Sequence, residues 1–121
     1  MSKKKILVVD DEKETVDLLK KYLESQAYDV ISAYDGKQAL EKIKEKPDLI
    51  ILDIIMPDMN GFEVLHDLRS KVETRYIPVV IFSARSESDS ILKAEDLGTT
   101  DYVIKPFKLE ELLNLIKKYI K

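Results

Sequence analysis

The chain of 121 residues has no cysteine and no long apolar run. Without cysteine it can form neither a disulfide framework nor a thiolate metal site. No segment approaches the roughly 18 consecutive apolar residues that a membrane span requires. The basic run Lys3–Lys5 is followed by only four apolar residues, which are too few for a signal peptide. We therefore expect a cytoplasmic protein with no membrane segment.

An excess of charge of one sign is also missing. The 20 basic and 23 acidic residues give a net charge of −3, and lysines and glutamates are mixed throughout. A protein that binds nucleic acid directly would present a basic face, so this composition argues against such a partner. The length fits one domain, which we expect to comprise residues 1–121. The single histidine, His66, has no second histidine to act with, and we interpret it as a surface residue.

Five short apolar runs, several of them rich in β-branched residues, predict buried β-strands. These predicted strands are Ile6–Val9, Tyr28–Ala33, Leu49–Leu52, Pro78–Phe82 and Asp101–Ile104. Apolar residues at helical spacing follow each strand and predict five helices. The helices are expected after Glu12, from a capping-box pattern at Asp35–Gln38 to Pro47, from about Phe62 to Val72, from Ser86 to Gly98, and from Leu109 to Ile120.

The strict alternation of strands and helices predicts one α/β domain. Such alternation is typical of a doubly wound parallel sheet with helices on both faces. Right-handed crossovers with one reversal of direction favour the strand order 2-1-3-4-5. The first and third strands are then neighbours at the point where the order reverses, and ligand chemistry in such sheets gathers at the carboxyl ends of these strands.

Three aspartates are expected to meet at that edge. Asp53 follows the most apolar predicted strand, and Pro57 and Gly61 mark a loop after it. Taken alone, this aspartate could be a metal ligand, a nucleophile or a helix cap. Asp10 and Asp11 follow the neighbouring strand, and carboxylates about 4 Å apart repel by roughly 4 kcal/mol at an effective dielectric constant of 20. A cation that prefers hard oxygen ligands, such as Mg²⁺, would relieve this repulsion.

Two further side chains belong to the same predicted edge. Ser83 follows the fourth strand and offers a hydroxyl donor, and Lys105 follows the fifth and supplies a positive charge. Both are groups that an incoming phosphoryl group would need. Four of the five predicted strands therefore end in one coherent phosphoryl-transfer set.

Four motifs connect the chain with a known family. They are Val8–Glu12, Asp53–Gly61, Ser83–Ala84 and Asp101–Phe107. In these motifs, their order and their spacing, the whole chain resembles a receiver domain of bacterial two-component response regulators, of the stand-alone chemotaxis type. The resemblance implies a flavodoxin-like three-layer sandwich. It also implies a phosphorylation-activated signalling switch rather than an enzyme, which would catalyse only its own phosphorylation and dephosphorylation.

The resemblance also implies roles for the acidic residues. Asp53 would be the phosphoacceptor, which receives its phosphoryl group from a histidine of a sensor histidine kinase. Asp11, Asp53 and the backbone carbonyl of Ile55 would hold Mg²⁺ directly, and Asp10 would act mostly through water.

The remaining implied roles concern binding of the phosphoryl group and its readout. Lys105 and Ser83 would bind the phosphoryl oxygens, and the rotamer of Tyr102 would follow Ser83. We expect Ile91, Tyr102 and Leu115 to form a partly exposed apolar patch that binds a downstream protein partner. DNA-binding receivers usually carry a basic residue at the position of Leu115, so its absence argues against their charged dimer.

Three alternative interpretations fit the sequence less well. A Mg²⁺-dependent phosphohydrolase that passes through an aspartyl phosphate needs a general acid, which the resembling hydrolases place two residues after the nucleophile, where this chain has Ile55. A flavodoxin-like cofactor binder needs a phosphate loop with free amides, whereas Asp10–Glu12 would repel phosphate. A degenerate receiver that acts only as a scaffold would have lost site residues that are present here.

Overall fold

The computed structural model describes residues 3–56, 59–85 and 87–120. The strands are β1 (Lys5–Val9), β2 (Asp29–Ala33), β3 (Leu49–Leu52), β4 (Val79–Ser83) and β5 (Asp101–Ile104). The helices are α1 (Lys13–Ser25), α2 (Gly36–Lys42), α3 (Gly61–Ser70), α4 (Ser88–Asp96) and α5 (Leu109–Tyr119), and a short 3-10 helix (Ile43–Glu45) follows α2. Among the described residues, no helix combines the length and the hydrophobicity needed to cross a bilayer.

The strands form one parallel sheet in the order β2-β1-β3-β4-β5, which confirms the predicted topology. β1 and β3 are central neighbours, with Val9 paired to Leu52 at the last position of each strand. The residues that follow these two strands are therefore side by side. β4 pairs with β5 so that Ser83 lies opposite Ile104, which brings Lys105 to the same edge.

Alternate strand residues enter two separate cores, as the two-residue period of a strand requires. Ile6 and Val8 pack with α1 and α5, whereas Leu7 and Val9 pack with α2, α3 and α4. Every residue of β3 is buried because both faces of this strand are covered. The site-bearing edge is thus carried by rigid strands rather than by long loops.

Three predicted helix boundaries were wrong. The second helix, expected to run to Pro47, ends as an α-helix at Lys42, and only the 3-10 helix to Glu45 follows it. The third helix ends at Ser70, and Val72, which was expected to face inward, is 70% exposed. The fourth helix begins at Ser88 with Glu87 as its N-cap residue, and its predicted start, Ser86, lies outside the described residues. Apolar spacing locates a helix but not its last turn, because a single exposed valine can extend the pattern beyond the end of the helix.

The other helix signals have clear physical counterparts. Asp35 caps α2 by accepting a hydrogen bond from the Gln38 backbone N–H at 2.7 Å. Asn60 caps α3 in the same way, with the Glu63 N–H as donor at 3.1 Å. Gly98 follows α4 with φ of +92°, the left-handed conformation that favours glycine at a helix end. These caps fix where α2 and α3 leave the edge of the sheet that carries the predicted site.

Candidate functional site

The three predicted aspartates lie together at the carboxyl edge of β1 and β3. One carboxylate oxygen from each of Asp10, Asp11 and Asp53 lies within 4.8 Å of the others. The Asp53 N–H donates to the Val9 carbonyl at 3.0 Å, which extends the β1–β3 ladder into the site. Asp10 is fully buried and Asp53 is 5% exposed, whereas Asp11 is exposed. Two buried carboxylates thus share the edge with one that solvent can reach.

Lys105 supplies the positive charge that was predicted beside these acids. Its Nζ lies 3.0 Å from Asp10 Oδ2 and 3.6 Å from Asp53 Oδ2. Burial opposes the charge on this amine, but the hydrogen bond to Asp10 and the charge of Asp53 outweigh it, so the pKa of Lys105 is raised. The amine also lies 4.5 Å from the centroid of the Phe82 ring, which covers part of it. Lys105 is therefore held as a cation among carboxylates.

The carboxyl of Asp53 holds its proton more tightly than an ordinary aspartate, because its pKa is raised. The net pKa is about 6, because burial raises it more than the charge of Lys105 lowers it, and the charge of Asp10 raises it further. Its Oδ1 accepts a long hydrogen bond of 3.4 Å from the Ile55 N–H. At neutral pH the group is mostly ionised, as a nucleophilic carboxylate must be.

Ser83 and Tyr102 are connected by a group that sequence reasoning had overlooked, the backbone of Arg85. The Arg85 N–H donates to the Ser83 hydroxyl at 3.1 Å, and its carbonyl accepts from the Tyr102 hydroxyl at 2.8 Å. Burial raises the pKa of Tyr102, which keeps its hydroxyl protonated as a donor. Ser83 itself is fully buried at the end of β4. No sequence signal could have indicated this link, because backbone contacts carry no residue preference.

The loop after β3 holds the remaining residues of the predicted site. Ile55 is 50% exposed, and its backbone N–H is the group that donates to Asp53 Oδ1. Pro57 and Asp58, which belong to the motif that defines this loop, lie outside the described residues. The Gly61 N–H donates to the Ile54 carbonyl at 2.8 Å and closes the loop. A Cβ at Gly61 would lie 2.2 Å from the Asp53 carbonyl oxygen, so glycine is required here and not merely typical of a loop.

The donor set is chemically suited to a hard divalent cation. All three clustered groups offer carboxylate oxygens, which Mg²⁺ prefers. Two of these groups are buried, and the single cation of Lys105 cannot balance three negative charges. The cluster could therefore bind a metal ion.

The patch residues have the partial exposure that the sequence predicted. All three side chains, Ile91, Tyr102 and Leu115, are half-buried. Neither Ile91 nor Leu115 is therefore fully buried in the core. Leu115 packs against the α1–α5 side of the core with part of its surface. Leu92, next to Ile91 on α4, is 55% exposed and is the more accessible apolar side chain of that helix. His66 is exposed, as expected.

Comparisons with known proteins agree with this geometry. The model of the family described as "Response regulator receiver domain" matches residues 6–117. The chemotaxis protein CheY4 of Vibrio cholerae superposes with a TM-score of 0.92 at 28% identity, over 98% of this chain and 100% of that chain. A two-component response regulator from Clostridium difficile has a TM-score of 0.91 at 34% identity, over 98% and 96% of the two chains.

A third similar structure is the signal receiver domain of a signal transduction histidine kinase from Syntrophus aciditrophicus. It has a TM-score of 0.90 at 29% identity, over 97% of this chain and 89% of that chain. Since the family model matches nearly the whole sequence, the chain belongs to the response regulator receiver domain family. It is a two-component signalling domain of the CheY-like fold and not a typical enzyme.

Proposed function

We propose that this protein is a signalling switch that is activated when Asp53 accepts a phosphoryl group from a histidine of a sensor histidine kinase. The observation that carries the proposal is the position of Asp53, within 4.8 Å of two other carboxylates and 3.6 Å from the amine of Lys105. We also propose that residues 1–121 act as one receiver domain in the cytoplasm, with protein partners and without direct contact to nucleic acid or membrane.

In the proposed reaction, an oxygen of Asp53 attacks the phosphorus of the phosphohistidine in line with the P–N bond. The O–P bond forms as the P–N bond breaks, and the electron pair remains on the histidine nitrogen. Lys105, 3.6 Å from Asp53 Oδ2, would hold one phosphoryl oxygen and offset its charge. The Ser83 hydroxyl accepts from the Arg85 N–H and can therefore donate its own proton to another phosphoryl oxygen.

The residues that would hold Mg²⁺ are Asp11, Asp53 and the Ile55 carbonyl directly, with Asp10 acting mostly through water. The exposure of Asp11 and the engagement of buried Asp10 with Lys105 support this division. When bound, the ion would neutralise the charge that develops on the phosphoryl oxygens.

The alternative of a Mg²⁺-dependent phosphohydrolase lacks its general acid. The position two residues after Asp53 holds Ile55, whose half-exposed side chain has no proton to donate. We therefore favour the switch.

Incubation with acetyl phosphate tests the proposal. With Mg²⁺, intact mass should show one added phosphoryl group, and removal of the metal or the substitution Asp53→Asn should abolish the addition. The exposed Asp17 provides the control, because Asp17→Asn should be labelled like the parent. Undiminished labelling of Asp53→Asn, or labelling that persists with a chelator, would contradict the proposal.

The phosphoryl group on Asp53 should be lost slowly. Hydrolysis needs a water placed in line with the O–P bond, and Ile55 cannot hydrogen-bond that water. The exposed side chain of Arg85, 3.9 Å from the Glu87 carboxylate, is long enough to cover the site. The substitutions Ile55→Asn and Arg85→Glu should each speed the decay several-fold, as measured by the loss of phosphorylated mass over time. Unchanged decay in both variants would refute the idea.

We propose that the patch of Ile91, Tyr102 and Leu115 reads out the state of the site. Tyr102 and Ser83 both form hydrogen bonds with the Arg85 backbone. A shift of Ser83 toward a phosphoryl group would therefore alter the hydrogen bond that holds the Tyr102 side chain. A readout requires a partner that contacts the two states differently.

The substitutions Ile91→Glu and Leu115→Glu should weaken capture of the activated-state partner at least several-fold and leave labelling of Asp53 intact. Val72→Glu is the matched control, because Val72 is an exposed apolar residue beyond α3. Thermal unfolding of each variant would exclude a loss of fold. Equal capture by all three variants would remove this patch from the readout.

A further inference from the structure

A groove between α2 and α3 lies at the amino edge of the sheet, opposite the aspartate cluster. It has a volume of about 610 Å³ and is bounded by the end of α2 and the 3-10 helix on one side. The end of α3 and the segment that leads into β4 form the other side. Since α2 and α3 both run away from the carboxyl edge, the groove is separate from the proposed phosphorylation site and is independent of it.

The floor of this groove is apolar, and its one hydroxyl already forms a hydrogen bond within the protein. Leu40 and Ile43 line one side, and the nearly buried Leu68 and Ile77 line the other. The hydroxyl of Thr74, also in the lining, donates to the Leu68 carbonyl at 2.6 Å and is therefore satisfied. A ligand seated here would contact the floor through an apolar body.

An aromatic side chain stands at the rim. Tyr76 is 76% exposed and lines the groove. A flat apolar ligand that contacts the floor of the groove could also stack against this exposed ring. The volume lies within the roughly 300–1,000 Å³ of small-molecule sites. The groove therefore has the size and character of a small-ligand site rather than of an extended protein interface.

The charged side chains on the rim of the groove determine whether it favours a cation or an anion. Asp67 and Lys71 pair at 3.0 Å and offset each other. Lys44 and Lys46 line the side of the 3-10 helix, and neither forms an ion pair with any residue that the structure describes. Glu73 is the one remaining acidic residue of the lining. A locally positive rim in a chain of net charge −3 favours an anion.

We propose that the α2–α3 groove binds a small amphipathic anion, an apolar body that carries one carboxylate or sulfonate directed at Lys44 and Lys46. The apolar body contacts the Leu40, Leu68 and Ile77 floor. The negative group remains at the rim, where two amines on one side can approach it together. This site goes beyond phosphoryl transfer and does not depend on it.

Anilinonaphthalene sulfonate, which joins aromatic rings to a sulfonate, is a suitable fluorescent probe. The folded protein should bind it saturably with one site per chain. Naphthoate should displace it, whereas uncharged naphthamide should displace it at least several-fold less well. Amide resonances that shift on binding should belong to the α2–α3 groove. No saturable binding, equal displacement by both competitors, or shifts confined to the Leu92 and Tyr102 side of the molecule would each overturn the proposal.

Charge reversal at the rim gives a second measurement. The double substitution Lys44→Glu and Lys46→Glu should weaken probe binding about ten-fold, which corresponds to about 1.4 kcal/mol. The same reversal at the exposed Lys20 and Lys21 of α1, on the other face of the sheet, should leave affinity unchanged. Equal weakening by both double variants would overturn the proposal. Groove resonances that shift with protein concentration alone would also overturn it, since a second copy would then be the occupant.

Discussion

Without divalent cations, the Asp53→Asn variant is expected to be more stable than the parent at neutral pH, by about 3 kcal/mol. Burial raises the pKa of Asp53 from 3.8 to about 6, which means that folding places an ionised carboxylate where it is poorly solvated. A shift of about two pKa units corresponds to about 3 kcal/mol of lost stability once the group is fully ionised. Asparagine keeps nearly the same shape without the charge. Urea unfolding in a chelating buffer would measure the difference.

The pH dependence follows from the direction of the shift. Because the folded state binds this proton more tightly, the parent gains stability relative to the variant as pH falls from about 7 toward 4. The difference in unfolding free energy that favours Asp53→Asn should therefore be largest at neutral pH and should shrink as the pH falls from about 7 to about 4. The exposed Asp17 is the control, since Asp17→Asn should change stability little at any of these pH values. If the parent and Asp53→Asn were equally stable at neutral pH, Asp53 would not be poorly solvated in the folded protein.

Added Mg²⁺ should reduce or reverse the advantage of Asp53→Asn. A ligand that binds only the folded state stabilises it in proportion to the logarithm of its concentration over the dissociation constant. The variant lacks one of the three clustered carboxylates and should gain less. An equal gain for both proteins would place the cation elsewhere.

The second large effect is expected from Gly61→Ala, although it adds only a methyl group. The new Cβ would lie 2.2 Å from the Asp53 carbonyl oxygen and 2.8 Å from Ile54 Cα, and both are backbone atoms that cannot rotate away. Either the loop after β3 or the start of α3 must move. Overpacking typically costs about 1–3 kcal/mol, and we expect about 3 kcal/mol or more because the clash is with backbone.

The same substitution should also slow acetyl phosphate labelling of Asp53, because the displaced carbonyl belongs to the phosphoacceptor itself. Urea unfolding and the labelling rate would be measured on the same preparation. His66→Ala, at an exposed position of α3, is the control and should change neither quantity appreciably. Parental stability in Gly61→Ala would mean that the helix start is more adaptable than its contacts indicate.

Much of the fold could be predicted from local patterns. The first and last residues of β3 and β5 were predicted correctly. Turn-forming or polar residues on both sides of a short apolar run leave little choice of where the strand begins and ends. Parallel order then brought Asp10, Asp53 and Lys105 to one edge, as the structure shows. The functional roles of these residues stay predictions, while their proximity is confirmed.

Boundaries and backbone contacts could not be predicted in the same way. Val72 fits the apolar spacing of α3 and yet is exposed, because the chain leaves the helix two residues earlier. The link from Ser83 to Tyr102 passes through the Arg85 backbone, which every residue type possesses. Gly61 was predicted only as a loop residue, and its close approach to the Asp53 carbonyl depends on the tertiary structure.

The sequence by itself determined the fold, the strand order and the set of residues at the carboxyl edge, since periodicity and strand ends are local properties. Only the tertiary structure decided how these groups affect one another. The pKa of Asp53 depends on burial by distant segments and on the opposing charges of Lys105 and Asp10. The α2–α3 groove is lined by residues from the ends of two helices and from the segment before β4, which are distant in the sequence. Distances and solvation arise from packing between segments, and no local pattern encodes them.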